Sequence, residues 1–405
     1  MDPLFSPDTG KTLAEIGLEG DSLRTAGELR KRLGPELGRR AAELLTLRRR
    51  ARGRLADPET LFLTPKGLEQ ATPREVAEAR AARMAALAPG ATVLDATIGI
   101  GGDALALAAA GLRVLGLDHD FPTARCAAAN LRLGAALVVQ ADAGAPPLAP
   151  EGRDLLVIDP DRRDETGRRS SPEAWSPTLR DALELARGFR GACLKLPPGF
   201  DVDRALPLLG DLPASWQWTS LRRELKEVAL WTGDLARAVA DGGGSGGERE
   251  VLALDGDGGA VELAGTPSEG DEGRHLTRAE AEEVSWIAEP DPALIRSGLL
   301  GSFARDRAVT PLGPALAYLG GAARAPRSPL LRVWRVLGHA PVDRRRVRAL
   351  LAAHDVGPLT VKKRGHPATA ETLARRLRGP GRHRGLLIVA RLERGHRAYL
   401  VEPLT

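Results

Sequence analysis

Three acidic residues and a tight glycine bend carry the most legible chemistry in this chain. The stretch Val93-Leu94-Asp95-Ala96-Thr97-Ile98-Gly99-Ile100-Gly101-Gly102-Asp103 orders a strand, a carboxylate, a turn and a helix start. Glycine is needed where backbone bends with positive φ and comes close to a ligand. Donors at the new helix N-terminus favour the ligand's anionic end. Asp95, at the strand's carboxyl end, can accept from the amino group of a methionine moiety, and Thr97, Gly99, Gly101 and Gly102 form the bend around it. The next strand ends at Asp118, 19 residues after Gly99, where a carboxylate can take ribose hydroxyls. The third ends at Ala141-Asp142, and Asp142 can accept from the exocyclic amine of adenine. Together these groups describe a pocket for S-adenosylmethionine (SAM).

A nicotinamide dinucleotide competes for the same residues. Gly99-Ile-Gly101-Gly-Asp-Ala104 satisfies the relaxed G-x-G-x-x-G/A pattern, with Asp118 as its acid. Asp95 before the glycines and Asp159-Pro160 at the end of a fourth strand favour SAM. Taken singly, Asp118 reads as turn chemistry and Asp142 as a helix cap.

Asp159-Pro160-Asp161-Arg162-Arg163 falls where an open α/β sheet places its reacting group. Proline holds the preceding residue extended and removes a backbone donor. The Asp159 carboxylate and the Pro160 carbonyl can then accept from one amine and aim its lone pair at a sulfonium methyl. Catalysis of this kind is mostly positioning and electrostatics. Arg162 and Arg163 can take a substrate phosphate. Lys195, ending the fifth strand, is either a substrate contact or a surface ion pair.

The elements that must position these groups follow from periodicity. Strands are expected at Ala91–Ala96, Arg113–Asp118, Ala136–Ala141, Asp154–Asp159 and Gly191–Leu196, with helices at Asp103–Ala110, Phe121–Leu133 and Ser176–Arg187 between them. This βαβ rhythm gives a parallel sheet covered on both faces. Before it, Thr72-Pro73-Arg74-Glu75 reads as a helix start, with Thr72 as cap and Glu75 completing a capping box. After it, Trp216–Leu221 and Glu227–Thr232 read as a strand pair, and Glu250–Leu254 with Ala260–Leu263 as a hairpin. Residues 241–248 and 266–273 read as polar breaks. Residues 1–57 read as helices, ending in the basic run Arg48–Arg54, which suits a phosphate backbone or a solvated helix face.

Composition narrows the classes. No apolar run approaches the roughly 18 residues of a membrane span, and Met1-Asp2-Pro3-Leu4 does not open a signal peptide. Two cysteines without metal spacing, and histidines without ligand spacing, point to a cytoplasmic protein with no metal site. Residues 322–405 hold 19 Lys/Arg against 5 Asp/Glu, whereas the rest holds 39 against 48. A basic module on an acidic body suggests a polyanion partner. Aromatic residues are only 3%, so such binding would depend on charge more than on stacking. Trp216, Trp218, Trp231 and Trp334 are expected in the core.

The chain resembles bacterial class I SAM-dependent methyltransferases that carry a C-terminal THUMP-like domain. The likeness runs through Leu61-Phe-Leu-Thr64-Pro65, Gly67-Leu-Glu-Gln70-Ala71-Thr72, Gly99-Ile-Gly101-Gly102-Asp103-Ala104-Leu105, Asp159–Arg163, Lys195-Leu-Pro-Pro198-Gly199, Glu224-Leu-Lys-Glu227-Val-Ala-Leu-Trp231, Glu289-Pro290-Asp291 and Lys362-Lys363-Arg364-Gly365. It implies a helical region at 1–59, a Rossmann-like α/β methyltransferase domain at 60–240, a linker and hairpin at 241–275, a ferredoxin-like segment at 276–321 and a THUMP-like domain at 322–405. It also implies RNA binding, with tRNA a candidate, in which Lys362, Lys363 and Arg364 grip phosphates or form a solvated turn. Base-amine methyltransferases follow their Asp/Asn-Pro with a second proline and an aromatic residue, whereas here Pro160 precedes Asp161 and Arg162. Two other readings stay open: a catalytically silent RNA-binding fold, and a methyltransferase for proteins or small molecules.

Overall fold

The computed structural model describes residues 2–19, 22–131, 136–147, 154–161, 163–164, 167–168, 171–236, 248–267, 274–314 and 316–404. Of the expected breaks at 241–248 and 266–273, residues 241–247 and 268–273 lie outside them. Two compact units emerge: Met1–Leu221 with Lys226–Glu248 and Gly256–Gly258, and Gly259–Thr405 with Arg222–Leu225 and Arg249–Asp255. No described helix is long and apolar enough to cross a membrane.

In the first unit the strands are β1 (Thr92–Asp95), β2 (Arg113–Asp118), β3 (Ala136–Gln140), β4 (Leu155–Ile158), β5 (Gly191–Leu196), β6 (Ala214–Leu221) and β7 (Glu224–Gly233), in the spatial order β6-β7-β5-β4-β1-β2-β3. β1 through β5 pair in parallel, and β7 runs antiparallel to β5. Every residue of β4 and of β5 is buried, as parallel strands covered on both faces require. The strand order reverses beside β1, the switch point where open α/β sheets take ligands. The helix Gly102–Ala109 starts at that point, directly after β1.

The first-unit core joins Val93, Val114, Leu155, Val157 and Trp231 to Met84 and Leu107 from flanking helices. The N-terminal helices Pro7–Ile16, Ser22–Leu33 and Pro35–Ala51 pack their leucines in a second cluster that reaches Ile100 of the glycine bend and Cys126. Three arginines of their basic run turn inward, while Arg50 and Arg52 are exposed, Arg52 beside Glu19 and Glu59. Arg48 is buried, donating to the carbonyls of Leu61 (2.7 Å) and Thr60 (3.1 Å). Arg49 donates to Leu18 O (2.7 Å), and Arg54 to Glu69 O and Ala71 O (both 2.8 Å). The run clasps turns whose carbonyls lack helix or sheet partners.

In the second unit, strands follow the order Thr310–Pro311, Leu319–Gly321, Trp286–Pro290, Leu331–Pro341, His396–Pro403, His383–Arg391, Val356–Arg364. Only the last two pair in parallel. Alternation divides His383–Arg391 between two cores: Leu387 and Val389 join Val347, Leu351 and Leu373 of the helices, while Ile388 and Ala390 join Trp334 and Tyr399. The expected hairpin forms in register from Arg249↔Gly265 to Leu254↔Ala260. Trp216, Trp218, Trp231 and Trp334 are all buried, as expected of core tryptophans.

Gly116 in β2 makes room for the bend. A Cβ there would meet Ile98 Cδ1 at 2.1 Å, and Ile98 N–H donates to Leu117 O at 2.8 Å. Gly116→Ala should therefore cost about 1–3 kcal/mol by overpacking and loosen the bend, read as a lower urea midpoint and weaker SAM binding together.

Candidate active site

The bend after β1 is built as the glycines require. Gly99 and Gly101 take φ of +59° and +88°. Ile100 seats on Gly67, whose absent Cβ would lie 2.3 Å from Ile100 Cγ2. The Asn130 amide fastens the same turn, donating to Ile100 O (2.8 Å) and Phe62 O (3.0 Å) and accepting from Phe62 N–H (2.7 Å). A Cβ on Gly102 would meet nothing within 4 Å, so backbone there is open to a ligand.

Asp95 is 2% exposed. Among the described residues, the one hydrogen bond to its carboxylate comes from Thr97 N–H at 3.3 Å. Burial pushes its pKa up to about 6, against the pull of the more distant Lys195 and Arg80. Asp118 accepts from Gly99 N–H (3.0 Å) and Asp120 N–H (2.9 Å), and burial raises its pKa too. It thus braces the bend, and a carboxylate has lone pairs left for hydroxyls. Asp142 caps no helix: it is exposed and accepts from Gly144 N–H at 2.8 Å. The Thr97 hydroxyl accepts from Asp159 N–H at 2.6 Å, which joins the bend to the end of β4.

Lys195 is buried, not a surface ion pair. Its ammonium meets Asp159 Oδ2 at 2.7 Å, Asp103 Oδ2 at 2.9 Å and Thr72 Oγ1 at 2.9 Å, so its three hydrogens are committed. Asp103 is held in turn by the buried Arg80, whose guanidinium also grips Glu227 Oε1 and Oε2 at 2.5 and 2.6 Å. The expected capping box does not form. Pro73 takes the N-cap position without a side-chain bond, and Thr72 donates to Asp103 Oδ2 at 2.8 Å. A hydroxyl beside a buried ion pair satisfies a desolvated carboxylate, which outweighs a cap worth about 1 kcal/mol.

Asp159 is 34% exposed, and its Oδ1 has no partner among the described residues. Pro160 is buried. Asp161 pairs with Ser176 through N–H···O bonds of 2.8 and 3.0 Å and accepts from Lys66 Nζ at 3.0 Å. Arg162 and the side chain of Arg163 lie outside the described residues.

The structure thus gathers Asp95, Thr97, Gly99, Gly101, Gly102, Asp118, Asp159 and Lys195 through contacts around one sheet edge. Sequence reasoning missed Thr72, Arg80, Asp103, Asn130 and Glu227 as site groups. One signal was available: Arg80 stands within the buried stripe Val76, Ala77, Ala81, Met84 of its helix, where a charge needs a partner.

Lys362, Lys363 and Arg364 occur in the second unit and form no turn. They end the strand Val356–Arg364. Lys362 Nζ lies 2.7 Å from Glu289 Oε2 and 5.4 Å from the Trp334 ring centroid, and Arg364 lies 3.9 Å from Glu289 Oε1. These two are engaged internally. Lys363 Nζ donates to His366 O at 2.8 Å.

Two Mycobacterium tuberculosis proteins, from strains CDC 1551 / Oshkosh and ATCC 25618 / H37Rv, are each named an S-adenosylmethionine-dependent methyltransferase. Each is 34% identical to this chain over 364 residues, covering 87% of this chain and 92% of the relative. The chain belongs to this methyltransferase family. Residues 331–403 match the family described as THUMP domain-like. A crystal structure from Porphyromonas gingivalis W83, assigned to the methyltransferases, aligns with a TM-score of 0.76 over 97% of this chain and 96% of that one, at 18% identity, and so speaks for the fold.

The methyltransferase's residues fit SAM. A buried carboxylate with one long hydrogen bond is unfavourable unless a cation joins it, and the ammonium of SAM is such a cation. When bound, SAM supplies an electrophilic methyl group on its sulfonium.

The electrostatics of these buried groups has measurable consequences. Asp95 has a folded pKa of about 6 against an ordinary 3.8, so its ionised form disfavours the ligand-free fold. The stability is whole below the lower value and is lost as pH rises through about 6. Asp95→Asn should stabilise the ligand-free protein by about 2 kcal/mol near pH 7.5, read by urea denaturation, while abolishing SAM binding in calorimetry. In the wild type, SAM affinity should fall about tenfold per pH unit below about 6. Lys195→Met should cost about 3 kcal/mol at neutral pH, because it strands buried carboxylates, read as a lower urea midpoint.

Proposed function

We propose that this SAM-dependent methyltransferase methylates RNA, with Asp159 positioning the acceptor and the basic second unit holding the nucleic acid. The observation that carries the transfer step is the Asp159 carboxylate, fixed by Lys195 through Oδ2, with Oδ1 unengaged among the described residues. Thr97 ties Asp159 to the Asp95 side of the bend. In this reading Asp95 takes the ammonium of SAM, Asp118 the ribose hydroxyls and Asp142 the adenine amine. Asp159 and Pro160 accept from the acceptor group and aim its lone pair. Lys195 acts through Asp159 by holding it oriented, without contacting substrate. Such a fixed carboxylate needs little reorganisation as charge develops. Support for RNA is the surplus of 19 Lys/Arg over 5 Asp/Glu in residues 322–405, together with the THUMP domain-like match.

The test is incubation of purified protein with methyl-labelled SAM and total RNA from a strain lacking the gene. Label is expected in RNA, reduced at least about a hundredfold by Asp159→Ala with SAM affinity nearly unchanged. Label in protein or small molecules, but not in RNA, would overturn the substrate assignment.

A further inference from the structure

The basic run ending Val356–Arg364 has two faces. Alternation turns Lys362 and Arg364 to Glu289, and Lys363 to the other side, where its ammonium meets His366 O at 2.8 Å. This strand is parallel to His383–Arg391, so the two carboxyl ends share one edge, with Lys363 beside Val389 and Arg364 beside Ala390. Carboxyl edges of parallel strands are where α/β units take ligands, because the following loops converge there.

Cationic groups crowd that edge. Gly365 has φ +75°, and a Cβ on it would lie 2.7 Å from Arg391 Cβ, so Arg391 crosses the glycine directly. The His366 and His396 rings meet edge to face, with centroids 4.6 Å apart. His366 Nδ1 accepts from Ala368 N–H at 3.1 Å, and His396 Nε2 lies 3.1 Å from Gly365 O, a contact that needs the proton on Nε2. His366 Nε2 and His396 Nδ1 then have no partner among the described residues, nor do the guanidiniums of Arg376 and Arg391. Burial lowers the His366 pKa, and His396, Arg376 and Lys363 lower it further, so these positive charges act on one another. The acids nearby are Glu371, whose pKa is lowered by its own backbone, by Thr369 and by Lys363, and Glu393 in the turn before His396. Cations that outnumber the acids beside them favour an anionic ligand.

We propose that this edge, formed by Lys363, His366, Arg376, Arg391 and His396, is a phosphate-binding site for a phosphodiester or terminal phosphate of nucleic acid. It deepens the RNA reading and rests on it for the identity of the polymer. Protonation of His366, whose pKa is lowered, adds charge, so binding tightens as pH falls below about 6.5.

Fluorescence anisotropy of full-length protein with a labelled single-stranded RNA of about 20 nucleotides tests the site. Lys363→Gln combined with Arg391→Gln should weaken binding about tenfold and flatten the plot of log affinity against log salt by about 0.7 for each phosphate no longer neutralised. His366→Asn should remove the tightening that develops as pH falls below about 6.5. Arg335→Gln, which removes a charge paired with Glu402 elsewhere on the sheet, should bind as the wild type does, and thermal melts should show every variant folded. Tighter binding of a 5′-phosphorylated RNA than of its 5′-hydroxyl form assigns the terminal phosphate, and equal binding assigns the phosphodiester. Binding by the Lys363/Arg391 variant within about twofold of wild type, or no wild-type binding, overturns the site. RNA methylation with affinity indifferent to these residues overturns the site alone. Binding through them without methyl transfer overturns the RNA methylation reading alone.

Discussion

The site depends on one ammonium group. Lys195 brings together the end of β5, the start of the helix after the glycine bend and Thr72, with Asp159 at the end of β4 as its outward partner. Taking such charges out of water costs several kcal/mol each, recovered only when geometry and hydrogen bonding are complete. The elements around Lys195 are therefore constrained jointly. Arg80 extends the constraint to Glu227 on β7, two strands beyond β4. Around this edge, Asp95, Asp103, Asp159 and Glu227 face two buried cations, Arg80 and Lys195. The missing positive charge is at Asp95, the member without a cation in contact. A ligand carrying an ammonium and a sulfonium answers that imbalance.

The bend is ordered before any ligand arrives. Asp118 holds Gly99 N–H, Leu117 O holds Ile98 N–H, Gly67 seats Ile100 and Asn130 clamps the turn. Such fixing reduces the ordering cost of binding. It also explains why the segment around Phe62–Gly67, far from the chemistry in sequence, shares the core cluster of Ile100. Thr97 joins the two carboxylate-bearing residues, its amide donating to Asp95 and its hydroxyl accepting from Asp159 N–H.

What was legible in the sequence was local. Arg113–Asp118 and Gly191–Leu196 match the expected strands residue for residue, because uninterrupted apolar runs between turn signals leave little choice. The glycine bend and its strand-end acids were legible because positive φ and backbone exposure restrict residue type. Partnerships across long separations were not. Lys195 lies 92 residues from Asp103, and Arg80 lies 147 from Glu227, and no periodicity reports such pairs. The reading of Arg48–Arg54 as a phosphate grip or a solvated face missed, for a related reason, that Arg48, Arg49 and Arg54 serve backbone carbonyls. Arginine is planar and rich in donors, so it serves unpaired carbonyls of a neighbouring turn as readily as phosphate. Only tertiary structure tells the two apart.

The same distinction bears on the second unit, where charge count alone would mislead. Several of its cations are structural: Arg335 pairs with Glu402, Arg397 with Glu282, Arg382 with Asp355, and Lys362 and Arg364 with Glu289. Among those that remain are Arg344, Arg345, Arg346 and Arg348 on one helix, Arg375 and Arg376 on the other, and Lys363 and Arg391 at the carboxyl edge between strands. None of these has an acidic partner among the described residues. Their own repulsion disfavours the compact state slightly, and polyanion binding relieves it with release of counterions. Residual charge, not total charge, is therefore the quantity that speaks to a partner. Here part of it lies on the two helices and on the one edge where strands run parallel, positions from which a fold of this kind can present groups to a ligand without disturbing its core.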